Sequence, residues 1–201
     1  MERTLRIGEV IQPFEMEAFL PETGEIKRLH AAHVWQQGHW LVLFFYPADF
    51  TFVCPTELAD LAEVYPELKK LGVEVWSVST DTAYTHLAWH QNEKLLINVR
   101  YPMAADTTGH LSRLLGVYDP ETGLALRGTF IFNPEGRLVG SEITYYEVGR
   151  NAQELLRKMQ AYLYVRTHPG EVCPARWTPG QSTLKPSEKI VGHVAEALGA
   201  N

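Results

Sequence analysis

Cysteine is scarce in this 201-residue sequence, which contains only Cys54 and Cys173. Tetrahedral zinc sites use closely spaced pairs of ligands, and these two cysteines lie far apart in the sequence. The position at which a C-x-x-C motif would place its second thiol after Cys54 is occupied by Glu57. The spacing therefore disfavours both a structural zinc site and a simple thioredoxin-type disulfide reductase.

Long apolar segments are also missing. The longest strictly apolar run, residues 40–46, is far shorter than the roughly 20 residues that a membrane-spanning helix needs. The N-terminal residues MERTLRIGEV lack the apolar core of a secretory signal. We therefore expect no membrane partner and a cytoplasmic location, where a permanent structural disulfide is disfavoured.

An excess of positive charge is absent as well. Eighteen basic residues against 24 acidic residues give a net charge of −6, and no basic run is present that would follow a phosphate backbone. Nucleic acid is therefore not expected as a partner. A 45% hydrophobic composition over 201 residues is enough for one sizeable core.

The chemistry is predicted to lie in LVLFFYPADFTFVCPTE, residues 41–57. The apolar run 40–46 predicts a strand buried on both faces, and apolar residues at helical spacing after Cys54 predict a helix that ends near Gly72. Cys54 and Pro55 fall in the first turn of that helix. The amides of a first turn have no intrahelical acceptor and carry partial positive charge, so a thiolate would be stabilised there.

A plain buried cysteine is the main alternative for Cys54, since free cysteines are often small core residues. An α/β protein with two inert cysteines is thus one hypothesis. However, Pro47, Asp49 and Thr51 separate the strand from Cys54, where a simple core connection needs only a turn. Binding sites in α/β sheets favour the carboxyl ends of strands, so this composition favours a functional cysteine.

The histidines do not indicate a metal site. His86 and His90 lie four residues apart on a predicted helix that Asp81 or Thr82 caps, but the intervening Leu87 stands where a metalloprotease needs glutamate. A packed or solvated histidine pair is the favoured interpretation. We assign no metal and no cofactor.

Arg127 lies near the start of a strongly apolar strand, residues 124–132, which a turn joins to a second strand, residues 137–145. Arginine is rarely buried without a partner, so Arg127 needs an anion. The sequence alone leaves open whether this anion is a carboxylate in a salt bridge or a group of a functional site.

The order of elements predicts an α/β fold with a mixed central sheet covered by helices on both faces, and residues 14–29 form an N-terminal hairpin. We expect one domain, residues 1–165, followed by a C-terminal arm, residues 166–201. The proline-rich and glycine-rich part of the arm predicts an extended segment that carries Cys173, with a short helix at about 187–198.

Several blocks together resemble one family. FYP and DFTFVCPTE, within residues 45–57, are similar to the peroxidatic-cysteine motif of the typical two-cysteine peroxiredoxins. The similarity covers nearly the whole chain, and the final block is closest to the bacterial alkyl hydroperoxide reductase branch of that family. The further matching blocks are SVSTD (77–81), RGTF (127–130), VGR (148–150) and HPGEVCPA (168–175).

The resemblance implies a thioredoxin-like fold and a thiol peroxidase that reduces hydrogen peroxide and organic hydroperoxides for antioxidant defence. It implies a peroxidatic Cys54, whose sulfenic acid forms a disulfide with the resolving Cys173. The other residues that it assigns to the site are Thr51, Arg127 and Pro47, with Glu57 and Arg150 orienting Arg127.

The resemblance also implies partners. A thioredoxin-like or flavoprotein disulfide reductase would recycle the enzyme, and head-to-tail homodimers would assemble into a decamer. We expect the Cys54–Cys173 bridge to join two subunits, although the sequence also permits a bridge within one chain. A peroxide sensor or a holdase-type chaperone remains an alternative function.

Overoxidation-sensitive relatives carry a Gly-Gly-Leu-Gly insertion and a C-terminal Tyr-Phe pair that hold the active-site turn in place. Neither motif occurs in this sequence. We therefore expect the turn at residues 52–55 to unfold readily, and disulfide formation to outrun oxidation to sulfinic acid.

Overall fold

The computed structural model describes residues 4–199, which form seven strands and six α-helices. The strands are β1 (Glu15–Leu20), β2 (Glu25–His30), β3 (Trp40–Phe45), β4 (Val73–Ser79), β5 (Met103–Ala105), β6 (Arg127–Phe132) and β7 (Leu138–Thr144). The helices are α1 (Ala31–Gln36), α2 (Cys54–Lys70), α3 (Ala83–Asn92), α4 (His110–Leu114), α5 (Ala152–Thr167) and α6 (Val194–Ala197). Two 3-10 segments span Lys94–Asn98 and Glu188–Ile190.

The strands form a single mixed sheet in the order β2-β1-β5-β4-β3-β6-β7. Strand β4 is parallel to both β3 and β5, whereas β1–β2, β1–β5, β3–β6 and β6–β7 are antiparallel pairs. The predicted mixed sheet and both predicted hairpins are confirmed. This order places the carboxyl end of β3 beside the amino end of β6.

Strand β3 is an interior strand, and all six of its residues are buried. Leu41, Leu43 and Phe45 belong to one core cluster with side chains of α1 and α4. Alternate residues point to the opposite face, where Tyr46 just beyond the strand packs its ring 5.9 Å from the ring of Trp89 in α3. Both faces are covered, which explains why this strand reads as a continuous apolar run rather than as an alternating one.

The helix that begins at Cys54 is confirmed as α2, and the helix after β4 is confirmed as α3. Thr82 is the N-cap of α3, and its hydroxyl accepts a hydrogen bond from the amide of Thr85 at 3.2 Å. Helix α1 was not predicted. Its six residues span fewer than two turns, too short for helical periodicity to be recognised in the sequence.

The predicted helix over residues 187–198 is wrong. The chain forms a 3-10 turn and the four-residue α6 instead, because Gly192 between them has a φ of +79°, which ends a right-handed helix. The arm before it is not simply extended either. Val172 and Leu184 exchange backbone hydrogen bonds of 2.9 and 3.0 Å, and Trp177 is only 2% exposed.

The chain divides into two compact units, with the division between Ala152 and Gln153. The first unit contains the whole sheet and helices α1–α4, and the second contains most of α5 and Cys173. The predicted functional division at residues 165 and 166 stays a prediction. Among residues 4–199, no helix combines the length and the apolar character needed to cross a membrane.

Candidate active site

Cys54 is the first residue of α2, directly after the segment that leaves the carboxyl end of β3, and it is 1% exposed. The amides of the first turn are largely occupied. Pro55 has no N–H, and the amide of Thr56 donates to the carbonyl oxygen of the N-cap residue Val53 at 3.0 Å. The amide of Glu57 donates to the same oxygen at 3.2 Å. The dipoles of these amides favour a thiolate at Cys54, but a full positive charge near the sulfur must come from a side chain.

Arg127 supplies that charge. It is the first residue of β6, and the antiparallel register pairs its neighbour Gly128 with Phe45 at the end of β3. Its Nη1 lies 3.4 Å from the Cys54 sulfur and 2.7 Å from Oε2 of Glu57. The anion that the sequence predicted for Arg127 is therefore the Glu57 carboxylate, and the same guanidinium nitrogen also reaches the Cys54 sulfur.

The guanidinium of Arg127 is also fixed from its other side. Its Nε and Nη2 donate to the carbonyl oxygen of Tyr146 at 2.9 and 2.6 Å. Burial alone would lower the pKa of Arg127, but the Cys54 sulfur and the Glu57 carboxylate outweigh burial and raise it. Arg127 is consequently a permanent cation aimed at the sulfur, with little freedom to turn away.

Glu57 joins the two arginines of the site. Its Oε1 accepts from the backbone amide and from Nε of Arg150, both at 2.8 Å, while Oε2 accepts from Arg127. Arg150 continues to the carbonyl oxygen of Phe45 at 2.8 Å and stacks 3.4 Å above the ring of Phe44. Arg150 is therefore anchored to β3. Because Glu57 is bonded to Arg150, the carboxylate that holds Arg127 is itself fixed in place.

The stability of the site is expected to depend on pH through Glu57. Burial raises the pKa of Glu57, but hydrogen bonds and charge from Arg150 and Arg127 more than offset it, so the pKa is lowered from its ordinary value of 4.5. A lowered native pKa means that this ion-pair network contributes its full stability above pH 4.5 and loses it as the pH falls through the lowered value.

We expect Glu57→Gln to lower the free energy of unfolding at pH 7 by about 3–5 kcal/mol, because it leaves two buried guanidinium groups without a carboxylate. The same variant should lose less stability than the wild type when the pH is lowered from 6 to 3. Denaturant unfolding at both pH values measures this difference. Equal acid-induced losses in the two proteins would contradict the assigned role.

Thr51 and Pro47 lie on the segment between β3 and α2, residues 46–53. The Thr51 hydroxyl donates to the carbonyl oxygen of Ala48 at 2.8 Å, which leaves its lone pairs available to accept a hydrogen bond. Pro47 is buried, and Thr51 is partly exposed. Both residues thus belong to the loop that leads to Cys54, as the sequence predicted.

Cys173 lies in the second unit and is partly buried, with its sulfur 3.9 Å from the carbonyl oxygen of Ala161. Burial raises the pKa of the Cys173 thiol. Arg157 opposes that shift, and Glu171 adds to it. The environment of Cys173 in this conformation therefore shifts its pKa in the direction that favours the neutral thiol.

Sequence reasoning missed several groups that complete the site. The carbonyl oxygen of Tyr146 holds Arg127, and the Tyr146 hydroxyl is itself fixed by donating to Asp119 at 2.6 Å. Thr129 accepts a hydrogen bond from Arg150. A backbone acceptor leaves no signature in the sequence, whereas an apolar strand that contains both Arg127 and Thr129 could have suggested a polar network.

The arrangement can stabilise negative charge at the Cys54 sulfur, which Arg127 faces at 3.4 Å. Within the part of the chain that the structure describes, no group of three or more potential ligands is placed to hold a metal ion. A buried cysteine beside a fixed arginine is an arrangement that suits nucleophilic chemistry by a thiolate.

Comparison with known proteins identifies the family of this chain. A family model described as the AhpC/TSA family matches residues 7–141. A second model, described as the C-terminal domain of 1-Cys peroxiredoxin, matches residues 161–196, a range that contains Cys173. The two matches together span most of the chain.

Alkyl hydroperoxide reductase C of Salmonella typhimurium is 48% identical over 188 residues, which cover 94% of this chain and 98% of that protein. The protein of the same name from Bacillus subtilis shows the same identity and coverage. The crystal structure of Enterococcus faecalis AhpC aligns with a TM-score of 0.79 at 43% identity, covering 84% of this chain and 98% of that chain. The reduced 2-Cys peroxiredoxin of Plasmodium vivax aligns with a TM-score of 0.87 at 27% identity, covering 94% and 98%.

These relatives confirm the resemblance inferred from the sequence and the thioredoxin-like α/β fold. The match extends over both compact units and includes both cysteines. The chain therefore belongs to the AhpC/TSA family and is a peroxiredoxin, a thiol-dependent peroxidase.

Proposed function

We propose that this protein reduces hydrogen peroxide and organic hydroperoxides with Cys54 as the peroxidatic thiol and Cys173 as the resolving thiol. The observation that carries the proposal is the position of Arg127. A buried guanidinium lies 3.4 Å from a buried cysteine sulfur and is held there by Glu57 and the Tyr146 carbonyl. Because Glu57 also pairs with Arg150, the two guanidinium groups share one carboxylate, and a thiolate at Cys54 would balance the remaining positive charge.

In the first step, the Cys54 thiolate attacks one oxygen of the peroxide. A sulfur–oxygen bond forms, the O–O bond breaks, and the second oxygen leaves as an alkoxide or hydroxide that takes up a proton. The peroxide is reduced by two electrons, and Cys54 is oxidised to sulfenic acid. Arg127 faces the atoms on which negative charge develops, which is the arrangement that lowers the barrier most in such sites.

Thr51 and Pro47 contribute to the same step. The Thr51 hydroxyl already donates to Ala48, so it accepts the hydrogen bond of the peroxide O–H. This hydrogen bond orients the O–O bond of the peroxide towards the sulfur. Pro47 is buried and has no N–H, so it shields the reacting atoms from water without offering a competing donor. Glu57 and Arg150 act through Arg127 and are positioning residues.

In the second step, the Cys173 thiol attacks the sulfenic sulfur of Cys54. A disulfide forms, and the hydroxyl group leaves as water. A thioredoxin-like or flavoprotein disulfide reductase then supplies two electrons and two protons to restore both thiols. We place this cycle in the cytoplasm, where a reducing pool is maintained.

The disulfide is proposed to join two subunits of a head-to-tail dimer, and five such dimers form a decamer. Protein treated with one equivalent of peroxide should migrate as a covalent dimer on a non-reducing denaturing gel, and the linked peptides should contain Cys54 and Cys173. Cys173→Ser is the matched control and should stay monomeric on the gel. A monomeric oxidised wild type with an intrachain Cys54–Cys173 peptide would contradict the intersubunit bridge.

Disulfide formation should require the start of α2 to open. A disulfide needs Cα atoms about 4.4–6.8 Å apart and direct contact between the sulfurs, and a thiol that is 1% exposed offers little surface for such contact. The neighbouring Phe52 is 92% exposed, so the turn before the helix has little packing to lose.

Hydrogen exchange tests this opening. We expect residues 52–58 to exchange faster in the disulfide form than in the thiol form, while the buried strand β3 exchanges equally in both. Mass spectrometry after turnover in excess peroxide should find chiefly disulfide rather than Cys54 sulfinic acid. Equal protection of residues 52–58 in the two forms would show that the helix start does not open.

A further inference from the structure

A buried polar cluster lies behind the loop that carries Pro47 and Thr51. Oδ1 of Asp49 accepts a hydrogen bond from the Tyr46 hydroxyl at 2.7 Å, and Oδ2 lies 2.7 Å from Nδ1 of His86 in α3. The side chains of Asp49 and His86 are both completely buried. Neither residue takes part in the chemistry described above, and the sequence analysis treated His86 only as one of a packed or solvated histidine pair.

Both ring nitrogens of His86 face oxygen atoms, which requires Asp49 and His86 to share a proton. Nε2 of His86 lies 3.1 Å from the carbonyl oxygen of Ala104 in β5, which can only accept, so Nε2 carries a hydrogen. Nδ1 faces a carboxyl oxygen, so a second proton must lie between Nδ1 and Oδ2. Burial raises the pKa of Asp49, with His86 opposing the shift. Asp49 is thereby held to both α3 and the sheet.

The backbone of Asp49 is held as well. Its amide donates to Oδ2 of Asp81 at 2.9 Å, and the same oxygen accepts from the Ser79 hydroxyl at 2.7 Å. Asp81 follows β4, so the loop is tied to the end of the neighbouring strand. The carboxylate and the amide of Asp49 are therefore both held by hydrogen bonds to neighbouring elements.

The next residue of the loop is strained. Phe50 has a φ of +55°, a left-handed conformation that a bulky side chain rarely adopts. The residue is 58% exposed, and its ring lies 6.2 Å from that of Trp89 in α3. Such strain persists only where the surroundings determine the backbone, and it clusters at functional sites. Asp49, directly before Phe50, is held by hydrogen bonds from Tyr46 and His86 and to Asp81, and is therefore placed to supply this constraint.

The strained reversal sets the position of Thr51. The Thr51 hydroxyl donates to the carbonyl oxygen of Ala48. This hydrogen bond spans Asp49 and Phe50, so the backbone conformation of these two residues determines where the hydroxyl points. An unbroken series of contacts therefore runs from the Ala104 carbonyl through His86 and Asp49 to the loop that orients Thr51.

We propose that Asp49 and His86 are positioning residues for peroxide reduction, and that their buried pair holds the loop 47–51 in the conformation in which Thr51 can orient a peroxide at Cys54. The inference rests on the proposed function of Cys54 and Thr51. It assigns a purpose to the strain at Phe50 and to a buried ionisable pair that an apolar pair could otherwise replace.

The test compares removal of the pair with its conservative replacement. In Asp49→Asn, the new amide can donate to Nδ1 of His86 while its oxygen still accepts from Tyr46, so the geometry survives without the shared proton. Asp49→Ala and His86→Ala each remove the hydrogen bond that connects the loop to α3. Ser112→Ala in α4 is the matched control, because it removes another buried hydrogen bond to a carboxylate, that of Asp106, and Ser112 is not part of the loop 47–51.

Each variant is measured by stopped-flow for the second-order rate constant of Cys54 oxidation by peroxide, and for the rate of Cys54 alkylation by iodoacetamide. Alkylation requires the thiolate but not an oriented O–O bond. We expect Asp49→Ala and His86→Ala to oxidise about 10²-fold more slowly, as for a reacting group displaced by about 1 Å. Their alkylation should be as fast as in the wild type or faster, and the rate constants of Ser112→Ala should be unchanged.

Rescue separates positioning from simple destabilisation. Asp49→Asn should oxidise within about threefold of the wild type, since its hydrogen bonds are retained. The inference is overturned if Asp49→Ala oxidises as fast as the wild type, if Asp49→Asn is as slow as Asp49→Ala, or if alkylation falls in parallel with oxidation. Failure of the proposed function would look different, because Cys54 would then not be the residue that peroxide oxidises in any variant.

Discussion

Cys54→Ser is expected to abolish peroxide-dependent turnover. Serine keeps the size and the helix start of Cys54, so the fold should survive. Its hydroxyl is a far weaker nucleophile, and a single cation 3.4 Å away cannot ionise it at neutral pH. Peroxide consumption with a dithiol reductant in excess measures the effect, and the remaining rate should equal that of the buffer and reductant without enzyme.

Cys173→Ser is the matched control for that experiment, because it removes the other cysteine by the same substitution. It should consume one equivalent of peroxide rapidly and then turn over slowly, since Cys54 can be oxidised but not resolved by its normal partner. Turnover near the wild-type rate in Cys54→Ser, or loss of the first equivalent in Cys173→Ser, would show that the roles of the two cysteines are wrongly assigned.

Arg127→Ala is expected to lower the rate constant for peroxide reduction by about 10²–10³, the usual cost of losing one preorganised donor at a developing negative charge. The fold should persist, because Glu57 keeps its hydrogen bonds from the amide and the side chain of Arg150. Stopped-flow measurement of the first oxidation isolates this step from recycling. Circular dichroism and thermal unfolding verify that the variant is folded.

Two further variants define what Arg127 contributes. Arg127→Lys keeps a positive charge but cannot donate at once to the sulfur, Glu57 and the Tyr146 carbonyl, so it should recover only part of the rate. Arg28→Ala removes an arginine of an exposed pair with Glu15 and should leave the rate unchanged. An Arg127→Ala enzyme within a few-fold of the wild type would mean that the guanidinium serves only the packing of the site.

The elements nearest the site were predictable because their sequence signals are local and strong. The apolar run of β3 and the apolar face of α2 determine where Cys54 lies. Because a buried arginine is costly without a partner, the sequence also predicted that Arg127 pairs with an anion, and this is confirmed. Neither signal depends on distant parts of the chain. The resemblance to a known family added the roles of residues such as Thr51 and Arg150, which composition alone could not assign.

Other features depend on tertiary contacts that no local pattern encodes. The hold on Arg127 by the Tyr146 carbonyl is a backbone interaction, and the pairing of Asp49 with His86 joins residues from separate elements. The C-terminal segment was misjudged for a related reason. Its prolines and glycines indicate an extended arm, but the side chain of Trp177 is large enough to organise a buried centre there.

The most direct test of the account is the identity of the first oxidised atom. Cys173→Ser protein is mixed with one equivalent of hydrogen peroxide in the presence of dimedone, and the modified peptides are identified by mass spectrometry. We predict that the sulfenic acid adduct is found on Cys54 in nearly every chain, and that Arg127→Ala in the same background forms it much more slowly. Consumption of the peroxide without an adduct on Cys54 would contradict the central claim.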